Sequence, residues 1–156
     1  SSGSHYARAL LVALAARGWH GVVPHFRGCS GEPNRMPRAY HSGDSDEGDW
    51  MLRAVHLRWP DAPLYAVGIS LGGNMLAKWA GERGHDASFV TAAASIGSPL
   101  DLAAGGAALG RGFNIIYTLM FLTMLKSKAL VKLQQFPYIA RDGEYRFTPA
   151  RTPAAK

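Results

Sequence analysis

Apolar and polar positions change period several times along the 156-residue chain, and each change marks an element. Tyr6, Ala9, Leu10, Ala13, Leu14 and Ala16 recur close to every 3.6 residues. They predict a helix from about His5 to Arg17, capped by Ser4 and stopped by Gly18. Trp19 to Phe26 is short and β-rich around Val22 and Val23, predicting a strand that ends near Pro24, where proline removes a ladder donor. Arg27 to Gly43 is a long polar loop carrying Gly28, Gly31, Pro33, Pro37 and Gly43, and such loops tend to be functional or mobile. Ser42 or Asp44 then caps a second helix to about Arg58. Asp44, Asp46, Glu47 and Asp49 favour the positive end of its dipole, and Trp50, Leu52 or Met51, Val55 and Trp59 form the expected buried face.

Beyond Pro60 and Pro63 comes the most informative stretch. Leu64 to Ile69 is a β-branched and aromatic run that ends in Gly68-Ile69-Ser70-Leu71-Gly72 and passes at once into a helix-forming run, Gly73 to Glu82. Strand, sharp turn and helix around Gly-x-Ser-x-Gly is the setting of a nucleophile elbow. Gly68 and Gly72 flank the serine where side chains are expected to collide as the helix doubles back. The five-residue pattern alone is weak evidence; its context makes it strong. Gly84 stops this third helix, and Ala87 to Ser95 reads as a nearly continuous apolar strand.

Helices alternating with strands imply an α/β fold with a parallel central sheet and helices on both faces. Sites in such sheets lie at the carboxyl ends of the strands, the edge that holds Ser70 and the turns after His25 and Ser95. From Gly97 the composition changes. Pro99 to Gly112 is rich in Gly and Ala with Asp101 as a helix cap, and Phe113 to Leu125 is an apolar run followed by Lys126, Lys128 and Lys132. Thirteen residues fall short of the ~20 that cross a bilayer core. A buried or cap helix, a membrane-facing lid helix and a partner interface all fit that run. The expected division is a partial core over 1–98, the start of a cap over 99–139, and a tail over 140–156 with little periodicity, expected to be poorly ordered.

Composition narrows the class further. With 47% hydrophobic and 18% charged residues the chain is globular, with a core of one ordinary domain. The net charge of +6 raises nucleic acid or an anionic membrane as partners. The basic residues are scattered and not interleaved with aromatics, so no nucleic-acid partner is expected. The polar N-terminus does not read as a signal peptide. A single cysteine, Cys29, excludes an internal disulfide framework and suits a reducing, cytoplasmic setting.

A serine becomes nucleophilic when a base takes its proton, and acyl transfer also needs donors for the oxyanion. Ser70 supplies the hydroxyl and the Leu71 N–H one donor. The base is harder to place, because enzymes of this type run Ser, then Asp or Glu, then His along the chain. His5, His20, His25, His41 and His56 all precede Ser70, and His85 lies ~15 Å along the elbow helix. His25 either lines the site or is a satisfied structural histidine. His41, beside Asp44, reads as a loop histidine or a base, and Cys29 as a small buried residue or a second nucleophile. No metal-ligand spacing or phosphate-cradling loop is found, and no cofactor is expected.

Ser4 to Leu10, Arg17-Gly18-Trp19, Val22 to Arg35, Tyr40 to Asp44 and Val67 to Leu76 together resemble the YheT-like branch of the α/β-hydrolase 4 family. The resemblance extends from Ser1 to about Pro137, and the Arg27-Gly28-Cys29-Ser30-Gly31-Glu32-Pro33-Asn34 loop makes it specific. It implies a fragment of the α/β-hydrolase fold and a carboxylesterase acting on small ester or lipid-like substrates, with possible peripheral membrane contact. Ser70 corresponds to the nucleophile and Leu71 to an oxyanion donor, with His25, Gly28, Gly68 and Gly72 as pocket candidates. The second donor, the acid and the histidine of the triad are absent from this chain. The resemblance therefore implies an incomplete esterase of weak or no activity alone. The alternative is a non-catalytic or membrane-associated module docking through 113–125.

Overall fold

The computed structural model describes residues 2–41, 43–112 and 114–140, without the side chains at 117, 124, 139 and 140. Two compact units divide between Gly106 and Ala107. In the first unit, helix α1 spans His5–Ala15. Ser4 holds an extended conformation ahead of it, and the Ser4 carbonyl oxygen accepts from the Arg8 amide at 3.1 Å. Gly18, at φ +70°, ends the helix as expected, since that backbone conformation favours a residue without Cβ.

The strand expected over Trp19 to Phe26 is absent: these residues run without regular structure and make no ladder. Pro24 offers no donor, and side chains hold the segment instead. Gly21 sits so close to α1 that a Cβ there would overlap the Leu11 side chain, and the Trp19 ring stacks on Tyr65 at 5.2 Å.

Helix α2 spans Ser45–Arg58 with Asp44 at its N-cap position; Ser42, the other expected cap, lies outside the described residues. The Asp44 carboxylate turns back to Arg38 at 2.6 Å rather than capping. The buried face also differs from the expected one. Ser45, Gly48 and Met51 are buried and Leu52 and Val55 half-buried, whereas Trp50 is 70% exposed and Trp59 exposed. At 100° per residue Trp50 lies about 160° from the centre of that stripe, so it cannot share it. Gly48 belongs to the stripe because α3 presses against it: a Cβ there would overlap Met75 Sδ.

Strand β1, Leu64–Ile69, pairs in parallel with β2, Val90–Ile96, in a two-stranded sheet. The 3₁₀ turn Gly84–Ala87 and the turn at 88–89 take up the start of the segment expected to be all strand, so β2 begins at Val90. Helix α3, Leu71–Arg83, connects the two strands and packs on the sheet. Alternation along β1 directs Ala66 and Gly68 inward, while Tyr65 and Val67 stay about half exposed.

Trp79, 1% exposed, anchors the core with Leu76 and Ala66; Leu52, Met75, Phe89 and Val90 pack around them. A charged seam joins α2 to α3. Arg83 Nη2 donates to Asp46 at 2.5 Å, Lys78 Nζ to Ser45 Oγ at 3.0 Å, and the Ser45 hydroxyl to Glu82.

Helix α4 spans Leu102–Leu109, and Asp101 Oδ1 accepts from the Ala104 amide at 2.8 Å, the cap expected from the sequence. In the second unit, helix α5 spans Asn114–Gln135, well beyond the 13-residue apolar run; Phe113, the first residue of that run, lies outside the described residues. By length and composition α5 is long and apolar enough to cross a membrane. Ile115, Ile116, Leu119, Met120, Phe121, Leu122 and Leu125 are all exposed among the described residues of this chain. Pro137–Ala140 forms a last 3₁₀ turn, and 141–156, nearly all of the expected tail, lie outside the described residues.

Candidate active site

Ser70 follows β1 and occupies the N-cap position of α3, with φ +54° and ψ −119°. Among the described residues it is the only non-glycine at positive φ. Such a backbone costs on the order of 1–3 kcal/mol and persists only where the surroundings enforce it. The enforcement is visible on both sides. The Ser70 amide donates to the Ile96 carbonyl oxygen at 2.9 Å, extending the β1–β2 pairing by one bond, and the Ser70 carbonyl oxygen accepts from the amides of Gly73 and Asn74, both at 3.0 Å. The serine is thereby held exposed at the carboxyl edge of the sheet. Leu71 is the first helical residue, so its N–H belongs to the donors that a helix leaves without an internal acceptor.

The glycines divide differently from the expectation. A Cβ on Gly68 would lie 2.5 Å from the Gly72 carbonyl oxygen and 2.6 Å from Gly73 Cα. One on Gly73 would overlap Ser98 Oγ and lie 2.8 Å from the Gly68 carbonyl oxygen. Nothing lies within 4 Å of a Cβ at Gly72. The close approach of helix to strand is made at Gly68 and Gly73, because residue 73 faces the sheet while residue 72 turns away from it.

The turn after β2 is tied to the elbow by residues the sequence reading did not single out. Asn74 Nδ2 donates to the Pro99 carbonyl oxygen at 2.8 Å, Ser95 Oγ donates to the Gly73 carbonyl oxygen at 3.0 Å, and the Ser95 and Ser98 hydroxyls meet at 2.6 Å. The available signal was positional: Ser95 lies at the end of a strand, and Ser98 and Pro99 follow it, at the edge already assigned to the site. Beside this turn lies an open depression of about 490 Å³ lined by Gly43, Asn74, Ala77, Lys78, Leu100 and Leu102.

His25 is engaged in the N-terminal part of the chain. Its Nδ1 lies 2.9 Å from the Cys29 carbonyl oxygen and its Nε2 3.1 Å from Ser2 Oγ. A carbonyl only accepts, so Nδ1 carries the hydrogen, and in the neutral ring Nε2 accepts from the Ser2 hydroxyl. His41 Nε2 lies 4.0 Å from Asp44 Oδ2. His56 packs its ring on Phe89 at 5.2 Å, and His85 belongs to the 3₁₀ turn beyond α3. No hydrogen bond joins a histidine to Ser70 among the described residues.

The long loop is strongly tied. Gly28 turns at φ +69°, with room for a Cβ only 3.1 Å from Asn34 Oδ1. Asn34 Nδ2 donates to the carbonyl oxygens of Met36 and Arg38, each at 2.7 Å, and Phe26 stacks on Tyr40 at 5.4 Å. Burial, followed by the charge and hydrogen bond of the adjacent Cys29, raises the Tyr40 hydroxyl above its ordinary pKa. Arg27 pairs with Glu47 at 3.2 Å. Arg27, Arg38, Asp44, Asp46, Glu47 and Trp50 line a second depression of about 430 Å³, none of them part of the elbow. Among the described residues no three His, Cys, Asp or Glu side chains gather as a metal site would require.

The parallel strands joined by a helix accord with the sequence comparisons. Residues 1–128 match the family model of the alpha/beta hydrolase fold. The chain belongs to the α/β-hydrolase superfamily, and within it is similar to YheT. It is 46% identical over 137 residues to “Putative esterase YheT” of Escherichia coli K12, covering 88% of this chain and 40% of that protein. “Medium-chain fatty acid ethyl ester synthase/esterase 2” of Saccharomyces cerevisiae is 39% identical over 108 residues, 65% of this chain and 23% of its own length. Human “Phospholipase ABHD3” is 33% identical over 76 residues, 49% of this chain and 19% of its own. The chain thus spans less than half the length of these relatives. No solved structure matches it.

Proposed function

We propose that the protein to which this chain belongs hydrolyses carboxylic esters through an acyl-enzyme on Ser70. The observation that carries this reading is the Ser70 backbone at φ +54°, held between β1 and α3 with its side chain at the exposed sheet edge. Ser70 Oγ attacks the ester carbonyl carbon as a base takes the hydroxyl proton. The oxyanion gains a hydrogen bond from the Leu71 N–H, the alcohol leaves with a proton, and water then releases the acid. His25, with both ring nitrogens committed, does not serve as that base; His25 and Gly28 belong instead to the loop framework. The base and acid are assigned to parts of the protein outside this chain, so turnover by the chain alone is expected to be lower by several orders of magnitude. Names of relatives that specify esterase, fatty acid ethyl ester and phospholipase support an ester or lipid-like substrate.

The test is labelling of the full-length protein by a fluorophosphonate probe. Covalent labelling that vanishes in Ser70→Ala is the expected result. A folded full-length protein that is not labelled overturns the catalytic reading in favour of a module that keeps the fold and docks through 113–125. Rapid p-nitrophenyl ester turnover by this chain alone, abolished by Ser70→Ala, would overturn the assignment of the base elsewhere.

A further inference from the structure

We infer that α5 embeds its first three turns in one leaflet of an anionic phospholipid membrane and holds its lysines at the headgroups. The inference is independent of whether Ser70 is acylated. An amphipathic surface helix shows one apolar stripe; Ile115 to Leu125 is apolar on every side apart from Thr118 and Thr123. Ile116, Leu119 and Met120 are 62%, 60% and 68% exposed. A helix apolar all round belongs in a protein core or a membrane, and none of the apolar window of α5 is buried among the described residues of this chain.

The two threonines carry little penalty in hydrocarbon because their hydroxyls are used internally. Thr118 Oγ1 donates to the carbonyl oxygens of Leu109 at 2.7 Å and Asn114 at 3.1 Å, and Thr123 Oγ1 to that of Leu119 at 2.8 Å.

Length and charge fix the depth and the type of surface. Eleven helical residues extend ~16 Å, too short to cross the ~30 Å hydrocarbon core, and basic residues at both ends hold the run along one leaflet rather than upright in it. A transmembrane placement of all of α5 would carry Lys126 and Lys128 into the bilayer interior, at about 3 kcal/mol each near its centre. Lodged in one leaflet, the run is bracketed by Arg111 before it and Lys126, Lys128 and Lys132 after it, and long basic side chains reach phosphates from just below the headgroups. From 102 to 135 the sequence contains no aspartate or glutamate. That one-signed charge is complementary to anionic lipid and repels a second copy of the same helix.

The experiment is flotation of the full chain with phosphatidylcholine vesicles, with and without phosphatidylglycerol, together with a Phe121→Trp variant read by brominated lipids. Flotation with the anionic vesicles is expected. It should fall roughly fivefold per lysine replaced in the series Lys126→Gln, Lys128→Gln and Lys132→Gln, and Leu119→Glu with Met120→Glu should abolish it. Both of those positions are exposed, and helical circular dichroism verifies that the chain still folds. The introduced tryptophan should be quenched most by bromine near the headgroup end of the acyl chains. Strongest quenching at the bilayer centre overturns the single-leaflet placement. No flotation at low salt, flotation indifferent to both sets of variants, or self-association that the glutamates abolish without any lipid binding overturns the membrane reading. None of these readouts depends on Ser70.

Discussion

The indole Nε1 of Trp79 donates to Asp49 Oδ1 at 2.9 Å, joining α3 to α2 across the most buried point of the first unit. Asp49 also accepts from Arg53 Nε at 2.8 Å, and Arg83 Nε lies 3.5 Å from it. Burial opposes ionisation of this carboxyl, yet the hydrogen bonds from Arg53 and Trp79 and the two guanidinium charges hold its pKa below the ordinary carboxylate value. Glu82 is lowered by its hydrogen bonds from Lys78 and Ser45.

A carboxyl with a depressed folded-state pKa contributes stability that is fully present above its unfolded value, about 4, and is lost as pH falls through the folded value. Urea midpoints should therefore decline below about pH 4. Asp49→Asn should lower stability at pH 7 by about 1–3 kcal/mol, since the Arg53 and Trp79 donors lose their charged acceptor. It should also flatten the acid decline. A variant whose midpoint falls as steeply as wild type below pH 4 would remove Asp49 from the account.

At the elbow, glycine is required at two positions and optional at a third. Gly68→Ala and Gly73→Ala should each cost more than about 3 kcal/mol or prevent folding, because the methyl group would meet backbone that cannot move without separating α3 from β1. Gly72→Ala should be neutral or stabilise by up to about 1 kcal/mol through helix propensity. Chemical denaturation of the three variants side by side checks the ranking.

Ser70→Gly should raise the unfolding free energy by about 1 kcal/mol, because glycine adopts the φ +54° backbone without the cost borne by serine. Ser70→Val should destabilise, since a β-branched residue tolerates that region worst. Equal midpoints for serine, glycine and valine would show that the turn holds no strain.

Asn74→Ala should cost about 1 kcal/mol by removing the bond to the Pro99 carbonyl oxygen. Amide hydrogen exchange should rise across 97–101, where that bond secures the turn beside the serine.

Much of the fold was legible in the sequence because its signals are local. The 3.6-residue period fixes α1, a helix-forming run directly after a β-branched run gives α3, positive-φ glycines at 18 and 84 end them, Asp101 caps α4, and Gly-x-Ser-x-Gly marks the turn between β1 and α3. These features depend on residues within a turn or two of one another. What depends on the arriving partner was decided only in three dimensions. Trp50 and Trp79 look equally suited to a core, yet one is 70% exposed and the other 1%, because α3 meets α2 on the side of Gly48 and Met51. Trp19 to Phe26 has strand-forming residues and no ladder, since a strand requires a neighbour as well as a propensity. Gly73 rather than Gly72 bears the contact of the elbow helix with the sheet, a matter of which way one helical position faces once strand and helix have packed.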